Sequence, residues 1–204
     1  FHNQSGNLLK IDTDAVANNF TITHATTAKV EIVSGGNLGL VSNLVVGSTA
    51  SGEVRVNGGT ISAGGALNIG TGAGAAYARF FMENGSASVG NGTTIGNNGL
   101  NAAFIMSGGT FTNSTGHFRV GNNSSGRLEI SGGSIVITNN AQFLIGFNAK
   151  GAGTVEMTGG SITAGIMNMG ALNDAQFNLL DGTLQVASLV ITNYAASSVN
   201  LHIE

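Results

Sequence analysis

Hydrophobic residues along this chain come in pairs two positions apart, and the pairs recur. Val54/Val56, Phe80/Met82, Phe104/Met106, Leu128/Ile130, Val155/Met157 and Phe177/Leu179 form one set. A second set ends each time on an aliphatic residue followed by Gly or Thr. It comprises Phe20/Ile22, Leu44/Val46, Leu67/Ile69, Thr93/Ile95, Phe118/Val120, Phe143/Ile145, Met167/Met169 and Leu189/Ile191. A third set places an apolar residue second after a Gly: Leu8, Leu38, Ile61, Ala87, Phe111, Ile135, Ile162 and Leu184. Alternation with period two predicts short strands with one face inward and one outward. Helices are disfavoured, because a Gly, Asn or Ser cluster interrupts the chain about every ten residues.

The three sets keep one register. Gly followed by Asn, Ser or Thr stands at Gly6, Gly36, Gly59, Gly85, Gly109, Gly133, Gly160 and Gly182, so that after an irregular first interval the copies are 22 to 27 residues apart. The phrases "LEISGGSIV" from Leu128 and "VEMTGGSIT" from Val155 are two successive copies. A period of this length with three strands per copy signals a repeat architecture. Hairpin blades and a parallel stack of coils both fit three strands per copy. Equivalent positions carry the same residue type from copy to copy, which stacked, in-register ladders require and hairpin partners do not. Gly and Asn at the corners suit tight bends.

The expected fold is therefore all-β: a three-sided parallel β-solenoid of about eight coils of some 24 residues, forming one domain over 1–204. The coils read approximately 6–36, 37–59, 60–85, 86–109, 110–133, 134–160, 161–182 and 183–204. Variable coil length, with no strict six-residue repeat, favours a right-handed helix. Ile69, Ile95, Val120 and Ile145 are expected in one inward column, and Phe104 between Phe80 and Leu128.

Composition removes several classes of function. The chain has 204 residues, 42% of them hydrophobic, and a net charge of −3, which separates it from disordered chains of low hydrophobicity and high charge. Seven Lys plus Arg without a basic cluster offer nucleic acid no footing. No apolar run approaches the roughly 18 residues of a membrane span. Absence of Cys excludes disulfides and thiolate metal sites. Phe1 reads as the residue left after removal of a signal peptide, so an extracellular or cell-surface location is expected.

Candidate chemistry is sparse. Glu129 and Glu156 take the same outward position in adjacent coils, near Arg127, and read as an exposed ion-pair group rather than an acid/base pair. His2, His24, His117 and His202 lack metal-ligand spacing, so no metal, cofactor or enzymatic activity is expected. The stretch "GTGAGAAYAR" at 70–79 has no following Lys or helix to aim amides at phosphate and reads as a long corner. Outward Thr and Ser columns led by Thr60, Ser86 and Thr110 permit an ice-binding reading, which Val136 and Gln185 interrupt. Phe81 and Ile105 point outward on adjacent coils and suggest a lateral contact.

The repeat phrase, a Gly, an alternating aliphatic stretch and "SGGSI", resembles repeats of secreted bacterial autotransporter passengers and autotransporter-associated β-strand repeat proteins. The resemblance spans residues 34–192. It implies surface display, adhesion or scaffolding outside the cell, with cell-surface or matrix components as partners. The ends suggest a further partner, a second copy of the chain. Residues 1–5 read as a partial third strand with Phe1 in phase with Phe80, and Leu201 and Ile203 take up the same ladder. Matched, uncapped ends predict head-to-tail stacking into a filament through Phe1, Leu8, Leu184, Leu201 and Ile203.

Overall fold

A computed structural model describes residues 2–4, 8–23, 28–72, 77–98, 101–138, 140–148, 150–170, 172–192 and 198–204, with residues 2–4 described in their backbone path only. All regular structure in them is strand. β1 (His2–Gln4) and β2 (Leu8–Ile11) open the chain, followed by β3 (Asp14–Ala17), β4 (Phe20–Ile22) and β5 (Ala28–Val33). From β2 onward each strand segment pairs in parallel with the equivalent segment one coil away. The chain is a parallel β-solenoid.

Three faces result. The first stacks β3, Asn37–Leu40, 60–63, 86–89, Thr110–Asn113, Ser134–Ile137, 161–164 and 183–186. The second stacks β4, Leu44–Val46, Leu67–Ile69, Thr93–Ile95, Phe118–Val120, Gln142–Ile145, 166–169 and 188–191. The third begins with β2 and β5 and continues through 52–56, 78–82, Ala102–Met106, Gly126–Ile130, 153–157 and 175–179 to Val199–Ile203. Eight rungs on the first face make seven full turns between the first rung and the last. Coils of unequal length fit because the corners take up the difference, chiefly the corner between the second and third faces, where the stretch from Val46 to Gly52 in one coil corresponds to the longer stretch from Ile69 to Ala78 in the next.

The ladders behave as their chemistry requires. Ile69, Ile95, Val120 and Ile145 follow one another in a single column and are fully buried. Phe104 is buried between Phe80 and Leu128. In the middle coils the core is aromatic. Phe104 meets Phe80 and Phe111 at 5.0 Å between ring centroids, and Phe118 meets Phe143 at 5.6 Å, all edge to face. Such pairs add roughly 0.5–1.5 kcal/mol beyond the area they bury.

The corner after the second face shows why Gly recurs there. Gly121 has φ 73°, and a Cβ on it would lie 2.3 Å from the Ala152 carbonyl oxygen of the next coil. A side chain is excluded both by the left-handed backbone and by the close approach. Where this column holds Thr23 instead, its hydroxyl oxygen accepts the Ala50 N–H at 2.9 Å and ties the corner to the next coil.

The first coil differs from its sequence reading. Leu8 lies on the third face beside Lys29, not second on a first-face strand. Leu9 and Ile11 carry the inward ladder, beside Val30 and Ile32, and the first-face rung is β3, with Ala15 beside Leu38. Two causes combine. Leu8 and Leu9 are adjacent apolar residues, so the inward parity has two readings, and a one-residue slip exchanges the faces. Asp12 and Thr13 form the corner that Gly marks elsewhere: the Thr13 carbonyl accepts the Asn37 N–H at 3.2 Å. From Thr13 to Gly36 the interval is regular. Residues 2–4 do not continue the third face in parallel. β1 turns back antiparallel along β2, with Asn3 opposite Leu9, so the expected match between the two ends is not found. Phe1 lies outside the described residues.

Candidate interaction surfaces

Charged side chains concentrate on the outside of the third face. Alternate residues of each strand point out, and successive rungs bring like positions within about 4.8 Å. One outward column runs Lys29, Glu53, Arg79, Ala103, Arg127 and Thr154. Its neighbour runs Glu31, Arg55, Phe81, Ile105, Glu129 and Glu156. Opposite charges therefore meet across and along the stack. Lys29 Nζ lies 3.9 Å from Glu53, Arg55 Nη2 lies 3.5 Å from Glu53, and Arg55 also pairs with Glu83. Exposed pairs of this kind contribute about 0–1 kcal/mol each, so they favour one register more than they stabilise the fold.

Glu129 and Glu156 are stacked as the sequence indicates, and both engage Arg127. Its Nε is 2.7 Å from Glu129 and its Nη2 is 2.9 Å from Glu156. One guanidinium holding two carboxylates is an ion-pair triad. Phe81 and Ile105 are adjacent and outward but half-buried, because the Arg55 guanidinium lies 4.3 Å from the Phe81 ring centroid and covers it. Beside them the small Ala103, between Arg79 and Arg127, leaves a groove of about 520 Å³ floored by Ala103 and Ile105. Arg79 lies over the Tyr77 ring at 5.1 Å.

Of the histidines, His117 has a structural task that spacing did not reveal. Its Nδ1 accepts the backbone N–H of Gln142 in the next coil at 3.1 Å. Asn19 and Asn43 do the same at the equivalent corner, where their Oδ1 atoms accept from Asn43 N–H and Ala66 N–H at 3.1 and 2.8 Å. Burial, and secondarily the Arg119 charge, lower the pKa of His117 below its ordinary value of 6.5. His202 contacts Glu204 at 3.1 Å. His24 and part of the 70–79 corner lie outside the described residues, and the side chain of His2 is not described. Among the described residues no three His, Cys, Asp or Glu side chains gather in a metal-binding group.

Other polar contacts were also invisible to pattern reading. Asn122 and Asn123 donate to Asn97 Oδ1 at 2.8 and 3.1 Å, and Asn148 donates to both Asn122 and Asn123, so the amides form an axial ladder. Inside the core the Thr93 hydroxyl donates to Asn113 Oδ1 at 3.0 Å, while Asn113 Nδ2 donates to the carbonyls of Thr115 and Gly116. Both residues are fully buried. The stacking of Thr60, Ser86, Thr110 and Ser134 outward on the first face follows the sequence reading.

The last coil is the most unusual surface. Leu189 and Ile191 stand in line with the fully buried Met167 and Met169, yet are 42% and 50% exposed. Ile203 is 62% exposed, and Leu184 and Leu201 are half-buried at the rim of the same end. No described strand pairs with the outer edges of 183–186, 188–191 or Val199–Ile203. At the opposite end the first and second faces present Ala15, Ala17 and Phe20, all half-buried. No known protein family, characterised protein or solved structure matches the chain.

Proposed function

We propose that this chain is a structural subunit of an extracellular filament, joined end to end through the outer rungs of the solenoid. The observation that carries the reading is the apolar terminal rung, where Leu189 and Ile191 are solvent-exposed in columns that Met167 and Met169 seal one coil earlier, and where Ile203 is exposed beyond a half-buried Leu179. Open strand edges with apolar side chains are templates for pairing with another chain. The two ends are also complementary in size. Large Leu184 and Val186 would meet small Ala15 and Ala17 on the first face, and Leu189 would meet Phe20 on the second. Head-to-tail contact between unlike ends does not close, so repetition gives a fibre. Placement outside the cell rests on the resemblance to secreted repeat proteins.

Electron microscopy and sedimentation of wild type and Leu201→Asp test this reading. Wild type is expected to form rods whose assembly persists in high salt, because the joint contains few charges. Leu201→Asp buries a carboxylate without a partner at the joint and is expected to leave folded monomers. Wild-type protein that stays monomeric at high concentration overturns the filament. The groove beside Arg79 then favours the second reading, an adhesin or passenger-like binding module.

A further inference from the structure

Resting on the end-to-end reading, we propose that the segment carrying β1 and β2 is a plug that Val199–Ile203 of a second copy displaces. Assembly then proceeds by strand exchange.

The geometry of a continuous stack leads to this. Among the described residues the third face has one rung more than the other two, running from β2 to Val199–Ile203. After Val199–Ile203 the next rung of the helix belongs to the first face, and a second copy would supply it as β3. The third-face strand immediately before β3 in that second copy is its own β2. Both β2 and the incoming Val199–Ile203 are therefore assigned to one position, the outer edge of β5 in the second copy. β1, lying antiparallel on β2, further blocks parallel addition there. Both strands cannot occupy that edge while the first and second faces close up.

The competing strands carry the same inward chemistry. β2 reads Leu9-Lys10-Ile11, with Leu9 beside Val30 and Ile11 beside Ile32. The last strand reads Leu201-His202-Ile203, with Leu201 beside Phe177 and Ile203 beside Leu179 in the same two columns. Leu201 can replace Leu9, and Ile203 can replace Ile11, without altering side-chain type in the core. Val199–Ile203 pairs with its neighbour over five positions where β2 pairs over four, so the incoming strand offers the longer ladder. Outside, His202 would take the place of Lys10, opposite Glu31. A strand added to an open edge gains main-chain hydrogen bonds along the whole edge.

Cysteine placement tests the exchange, because the natural chain contains none. Adjacent parallel strands lie within disulfide reach. In Lys10→Cys/Glu31→Cys an intramolecular disulfide ties β2 to β5. The oxidised protein is expected to stay monomeric while the reduced protein assembles like wild type. Mixing His202→Cys with Glu31→Cys under mild oxidation is expected to give a covalent heterodimer. Deleting residues 2–11 removes the competitor and is expected to lower the concentration needed for assembly by about tenfold or more. If the oxidised double variant assembles as readily as the reduced one, or if assembled mixtures yield no heterodimer, the exchange is overturned, and the filament is joined by a contact that leaves β2 in place. If neither wild type nor the deletion variant assembles, the filament reading falls and the exchange with it.

Discussion

Met167 and Leu189 are neighbours in one column of the second face, and Met169 and Ile191 are neighbours in the next, but they experience different solvents. Met167 and Met169 are fully buried, whereas Leu189 and Ile191 are 42% and 50% exposed. Strand, column, direction of the side chain and apolar character are the same in both coils. The difference is the rung above. In the middle of the solenoid every inward side chain has the equivalent residue of the adjacent coil on both sides, and the aromatic series from Phe80 through Phe143 to Phe177 uses this to build an unbroken core. In the last coil the same design has a neighbour on one side only. Burial in a solenoid is a property of the stack, and nearest-neighbour interfaces hold much of its stability.

Unfolding measurements on single substitutions bear on that contrast, the largest effect first. Phe104→Ala removes a ring packed between two rungs and is expected to cost about 3–5 kcal/mol in denaturant unfolding of dilute protein. Met167→Ala is expected to cost about 2–5 kcal/mol on the same grounds. Leu189→Ala, one rung further out, should cost only about 1 kcal/mol. Equal losses at Met167 and Leu189 would mean that the last coil is sealed in solution, by a second copy or otherwise.

The buried Thr93–Asn113 pair gives the next effect. Asn113→Val leaves the Thr93 hydroxyl and two carbonyls without their partner and is expected to cost about 1–3 kcal/mol. In a Thr93→Val background the same change should cost less, since one stranded group is gone. A strictly additive double-mutant cycle would show that the two side chains do not act together.

His117 should make the middle coils sensitive to acid. Folding lowers its pKa, so the folded state prefers the neutral ring and the unfolded state takes up a proton first as pH falls. The contribution is complete above 6.5 and is lost as pH drops from there through the lower, folded value. Protonation also removes the acceptor for Gln142 N–H. His117→Asn, which places at this corner the residue type found at Asn43, is expected to flatten the pH dependence between neutral and mildly acidic solution. Smallest of all, Thr110→Ala on the outer first face should stay within about 0.5 kcal/mol.

The legibility of the fold followed how often each signal was repeated. Columns such as Ile69 to Ile145 were readable because every coil restates them, and their stacking needs only period two and a constant spacing. The first coil was misread where restatement failed: Asp12-Thr13 stands in place of Gly, and Leu8-Leu9 admits two parities. Of the candidate surfaces, the apolar character of Leu184, Leu201 and Ile203 was legible, and so were the adjacency of Phe81 with Ile105 and of Glu129 with Glu156. The shielding of Phe81 by Arg55 was not, nor was the depression at Ala103, because both depend on which side chains meet across rungs 24 to 28 residues apart in sequence.

Alone, the sequence determined the coil period, the strands from the second coil onward and the inward and outward parity of nearly every rung. Local alternation and corner chemistry suffice for those features, and repetition averages out their exceptions. Only the tertiary structure decided the antiparallel return of β1, the third-face assignment of β2 and the amide-acceptor role of His117. It alone also showed how much of Leu189 and Ile191 meets water. Each of these turns on a single non-repeated contact between segments, and a pattern read along the chain carries no term for the neighbour that is present or missing one coil away.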